Sequence, residues 1–100
     1  MIDREKFKLQ FRKAVNEMAK IAGQQPPDVD PVLAFPLVKG FFTMYPEVHM
    51  RCLAGYPTKS DTDDFFDYIN QDQPEFNDEQ FEQMRPIFQR LAKTIPPVRK

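Results

Sequence analysis

The side chains best suited to chemistry are one histidine and one cysteine, His49 and Cys52, the only residues of their types in the chain. Three residues apart, they share one side of a helix. Such a pair could ligate a metal, or place a thiolate beside an imidazole. A tight metal site needs further ligands, and no second His or Cys exists to supply them. A nucleophilic Cys needs surroundings that lower its pKa, and no neighbour in sequence offers them. The pair therefore reads as a core cysteine beside a partly exposed histidine.

The segment DTDDFFD at 61–67 has the look of a calcium loop without its grammar. Phe65 and Phe66 stand where ligands would be needed, and no glycine allows the sharp turn. Its acids read as helix-capping groups and a solvated face. Glycines occur only at 23, 40 and 55, which leaves no phosphate-cradling loop, and the motifs of nucleotide sites, hydrolases and zinc proteases are missing. The expectation is a non-enzymatic chain with no catalytic residue, metal or cofactor.

Charge is more informative than any motif. The net charge is −1, but residues 1–23 hold six Lys/Arg against three acids, and residues 83–100 hold five bases and no acid. Between them, residues 61–82 carry nine acids and no base: Asp61, Asp63, Asp64, Asp67, Asp72, Glu75, Asp78, Glu79 and Glu82. Helix starts account for Asp61, Asp63, Asp78 and Glu79, because negative charge is favoured in a first helical turn. Asp67, Asp72, Glu75 and Glu82 are less easily explained that way.

Two binding classes follow from this layout. An acidic surface made by Asp63, Asp64, Asp67, Asp72 and Glu75, with Tyr68 and Phe76 as aromatic anchors, would suit another protein with a basic surface. Alternatively, Arg4, Lys8, Arg12, Lys13 and Arg90 would meet a nucleic-acid backbone. No helix-turn-helix and no interleaving of aromatic and basic residues supports the second class, so the protein partner is preferred. The acidic reading requires that the carboxylates not be quenched by the Lys and Arg of the termini.

The elements that must position these groups read as helices. Phe7, Phe11, Ala14, Val15, Met18, Ile21 and Ala22 recur at helical spacing over 3–22, with Asp3 as a cap and Gly23 as the terminator. Asp30-Pro31 opens a short turn, and Pro36 begins a second helix with Phe41, Met44 and Tyr45 buried together. Residues 46–54 form a third, closed by Gly55. That aromatic stretch could also dock a partner; Phe42, Met50 and Tyr56 are its candidates for exposure, Phe42 and Met50 first. Ser60 is the expected cap of a helix over 61–69, and 70–76 reads as a loop. Asn77 with Gln80 has capping-box spacing for the last helix, which Pro86 should kink or split.

Composition agrees with this. One hundred residues, 41% hydrophobic and 29% charged, suit a single globular domain. Ten Phe allow an aromatic core, while ten Pro against three Gly suggest stiff corners. No apolar run reaches membrane-spanning length, no secretion signal opens the chain, and a lone Cys fits a reducing compartment. The expectation is an all-α, cytoplasmic protein: a domain over 1–95 of about five short helices joined by Pro-rich turns, then an extended tail over 96–100.

Overall fold

A computed structural model describes residues 4–71, 73 and 75–97; the expected Asp3 cap and the candidate Asp72 fall outside the described residues. Five helices follow in order: α1 (Arg4–Ala22), α2 (Pro31–Met44), α3 (Pro46–Ala54), α4 (Lys59–Tyr68) and α5 (Asp78–Ala92). Among the described residues there is no strand. The expected all-α fold of five helices is the observed one.

Each helix starts and stops for a local reason. Asp30 accepts a hydrogen bond from the Val32 N–H at 2.9 Å, and Pro31 sits at the first helical position, where its missing N–H costs nothing. Gly55, at φ 86°, takes the left-handed conformation that ends α3, and the Tyr56 N–H turns back to the Arg51 carbonyl. At α5, Asn77 and Gln80 exchange side-chain and backbone hydrogen bonds as their spacing predicts.

Two proline expectations are corrected. Pro36 does not start a new helix and Pro86 does not split the last one; α2 and α5 run through them. Each proline deletes one backbone hydrogen bond, and each stands on the solvent side of its helix. The opposite sides, Ala34, Val38 and Phe41 in α2 and Met84, Ile87 and Phe88 in α5, are buried on both flanks of the proline and hold the halves in line.

The core is aromatic, with Phe65 of α4 at its centre. Its ring meets Phe41 of α2 at 5.4 Å and Phe88 of α5 at 5.3 Å, both nearly edge to face. That geometry sets a ring's positive edge against a negative face and adds about 0.5–1.5 kcal/mol per pair beyond burial. Phe7, Phe11, Ala14 and Met18 of α1 close one side, in agreement with the periodicity. The radius of gyration, 12.5 Å, matches the roughly 13 Å of a compact chain this long.

Long side chains then clip helix ends to their neighbours. The last carbonyls of a helix have no partner within it, and three of them accept from elsewhere. Gln80 Nε2 donates to the Ile21 carbonyl at 3.0 Å, Gln89 Nε2 to that of Leu53 at 2.9 Å, and His49 Nε2 lies 2.9 Å from that of Ala92. These bonds tie α5 to α1 and α3.

Candidate functional site

The His49–Cys52 pair is taken up by the fold. His49 is buried, not partly exposed: its ring stacks on Phe42 at 4.6 Å, and a carbonyl partner requires Nε2 to carry the proton and donate. Cys52 is buried, and loss of solvation pushes its thiol up to about 12, with Asp61 adding to the shift and Arg51 opposing it. A thiol so held stays protonated at neutral pH and is a poor nucleophile. Among the described residues no group of three or more His, Cys, Asp or Glu side chains converges on a metal-sized site.

An apolar cleft of about 210 Å³ separates α1 from α4, walled by Val15, Met18, Phe66 and Ile69 under the 24–29 connection. Its described lining contains no ionisable group, so it brings no acid or base to a bound molecule.

The acidic segment has more structure. The cap of α4 is Thr58, not Ser60. The Asp61 N–H bonds Thr58 Oγ1 at 3.1 Å, and the Asp61 carboxylate accepts the Thr58 N–H at 2.9 Å. Ser60 and Asp63 have the same spacing, but Arg51 of α3 decides between the two registers. Its Nε and Nη2 each reach an Asp61 oxygen at 2.7 Å. The Arg51 hydrogen bonds hold the Asp61 carboxyl below the usual carboxylate range despite its burial, with help from Thr58.

This register moves Asp63 and Asp64 out of the first turn and into the second, where the favourable helix-end potential has largely faded. Phe65, Phe66 and Ile69 are buried, while Asp63, Asp64 and Asp67 occupy the opposite, exposed side. None of these three makes an ion pair or a side-chain hydrogen bond among the described residues. Of the terminal cations, Arg90 pairs with Glu17 and Lys8 with Glu5, away from the acidic stretch, while Arg85 pairs with Glu82 inside it. Lys59 bonds a further acid of that stretch, Asp78, at 2.6 Å, which holds the Asp78 carboxyl below its ordinary range.

The other acidic-face candidates divide. Glu75 is exposed, and with Asp63, Lys59 and Phe76 it lines a shallow depression near the start of α5. Phe76 is half-buried against the protein's own core. Tyr68 is also half-buried, yet stands at the edge of the acidic side. It lies across α2 beside Phe41, and its hydroxyl donates to Met44 Sδ at 3.4 Å. Gly40 permits this approach, since a Cβ there would come within 3.0 Å of the Tyr68 hydroxyl.

The basic candidates are dispersed. Arg12 and Lys13 are exposed on α1 without a carboxylate partner among the described residues, whereas Arg4 lies 5.4 Å over the Phe35 ring and Lys8 and Arg90 are paired.

Sequence reasoning missed an apolar strip on α2. Leu33 is 70% exposed, Met44 63%, Val32 56% and Leu37 40%, whereas Phe42, expected at the surface, is fully buried. Met50 and Tyr56 are exposed as expected, but Met44 and Tyr45, expected in the core, are not buried. The signal was available in Pro31–Met44, where Lys39 is the single charged residue. A helix apolar on all sides yet packed on one must leave hydrophobic surface in water.

No described helix is long and apolar enough to cross a membrane. Comparisons of the chain with protein-family models, with curated proteins and with solved structures find no match.

Proposed function

We propose that this chain is a non-enzymatic protein-binding module, an adaptor, inhibitor or regulator of a larger assembly, that presents the outer side of α4 to a partner with a basic surface. The observation that carries the reading is that Asp63, Asp64 and Asp67, beside Tyr68, have no partner among the described residues. Three exposed carboxylates on one helical side repel one another, a modest cost to the fold that an incoming cationic surface relieves. Such a surface also accelerates encounter with a basic partner in a salt-dependent way.

Affinity capture from native lysate tests this, run with the natural chain and with D63N/D64N/D67N. Loss of the captured protein in the variant, and its release from the natural chain by salt, are the expected results. Capture unchanged by the three substitutions removes the acidic side of α4 from consideration.

The nucleic-acid reading retains one supporting observation, Arg12 and Lys13 on the exposed side of α1 with no carboxylate partner among the described residues. Retention on heparin that falls steeply with salt, and is lost in R12Q/K13Q, would favour it. Flow-through favours the protein partner.

A further inference from the structure

We infer that the partner segment is an amphipathic helix with basic flanks, seated in the groove between α2 and the end of α4. This deepens the proposal that the acidic side of α4 binds a protein, and rests on it.

Three observations converge on that occupant. The first is shape. Leu33, Leu37, Gly40 and Met44 follow one another at spacings of four, three and four, which places them on one side of α2. From Leu33 to Met44 the strip runs about 16 Å along the helix axis. Beside it a groove of about 210 Å³ is floored by Ala34 and Ile69, with Leu33 and Leu37 as its wall. Further along α2, beyond the groove's own lining, Tyr68 lies against Gly40 and Met44.

The second is chemistry. The strip is apolar and wet, since Leu33 is 70% and Met44 63% exposed. Burying such side chains is a driving force that a purely charged contact lacks. The flexible thioether of Met44 adapts to varied partner side chains.

The third is charge, which chooses among apolar occupants. Asp28 and Asp30 line one end of the groove. Asp64, one turn before Tyr68, and Asp67, immediately before it, are exposed on α4, the helix whose end borders the groove at Ile69. None of the groove's described lining residues is basic. A helix with leucine-like anchors at i, i+4 and i+7 and Lys or Arg at its margins satisfies both the floor and the rim. Strand addition is not available here, because the described residues contain no sheet edge to extend.

The test uses the full chain and two synthetic 18-residue amphipathic helices, one of leucine and lysine and one of leucine and glutamate. Affinity is read by titration calorimetry, and the site by methyl NMR of leucine and methionine. The leucine–lysine peptide should bind saturably and shift the methyls of Leu33, Leu37 and Met44, while the leucine–glutamate peptide should not bind. L33S/L37S should weaken binding at least about tenfold while thermal unfolding, somewhat lowered by the poorer helix propensity of serine, shows the chain still folded. D64N/D67N should weaken it several-fold and flatten its salt dependence.

Binding lost in D64N/D67N but untouched by L33S/L37S overturns the groove and leaves the acidic-face proposal standing. Binding indifferent to both variants, or no saturable binding, overturns the groove and argues against the acidic face as well. Equal binding of the leucine–glutamate peptide overturns the charge argument. Self-association of the peptide-free chain that L33S/L37S abolishes assigns the face to a second copy and overturns the inference.

Discussion

Asp61 and the trio Asp63, Asp64 and Asp67 lie within two turns of α4 and have opposite fates. Asp61 is buried, completes the cap of its helix and receives both arms of Arg51. The other three face solvent with no partner among the described residues. One residue type on one helix thus serves the fold on the inner side and is left unused by it on the outer. A charge taken out of water has to be fully compensated, whereas a solvated charge is cheap to keep. Solvated carboxylates that no partner among the described residues engages are where selection for binding would leave its mark.

The comparison breaks most sharply at the centre of the inner side. Phe65→Ala should cost about 3–5 kcal/mol, as expected for removing a buried aromatic from a close-packed site. Urea unfolding measures it, and a loss below that of an exposed residue would mean that Phe65 is not the hub its ring contacts indicate. Asp61→Asn comes next, at about 2 kcal/mol, because it leaves Arg51 without its carboxylate and weakens the acceptor of the Thr58 N–H.

The same residue sets a pH dependence. The Asp61 carboxyl is held below its ordinary range in the folded chain, so the folded state binds that proton less readily than the unfolded one. Its stabilisation is complete above the unfolded value of about 3.9 and is lost as pH falls through the lower, folded value. Urea midpoints measured between about pH 6 and about pH 2 should therefore fall more steeply for the natural chain than for D61N. Parallel curves would sink this assignment.

Smaller effects sharpen the boundary between the two sides. Gly40→Ala improves helix propensity by about 1 kcal/mol but drives a methyl group against the Tyr68 hydroxyl. Unfolding should shift by less than about 1 kcal/mol while the Tyr68 ring resonances move; an unmoved ring would show that the contact is not close. Smallest of all, D63N/D64N/D67N should change stability by under about 0.5 kcal/mol, although the same variant is expected to lose its partner. A large destabilisation would place these acids in the fold's service.

The number of helices, the first helix with Gly23 at its end, the Asn77–Gln80 cap and the phenylalanine core could all be read from the order of residues. Each depends on neighbours within a turn or on a period of 3.6, and those forces act within a segment before anything packs. Tertiary structure decided what depends on distant residues. Thr58 rather than Ser60 caps α4 because Arg51 arrives from another helix, and α2 and α5 continue through Pro36 and Pro86 because buried side chains brace them across the break. Phe42 lies inside and Met44 outside because a helix apolar all round has no preferred face until its neighbours choose one. Which carboxylates remain unpaired was settled in the same way: the sequence determined their number, and only the fold determined which cations could reach them.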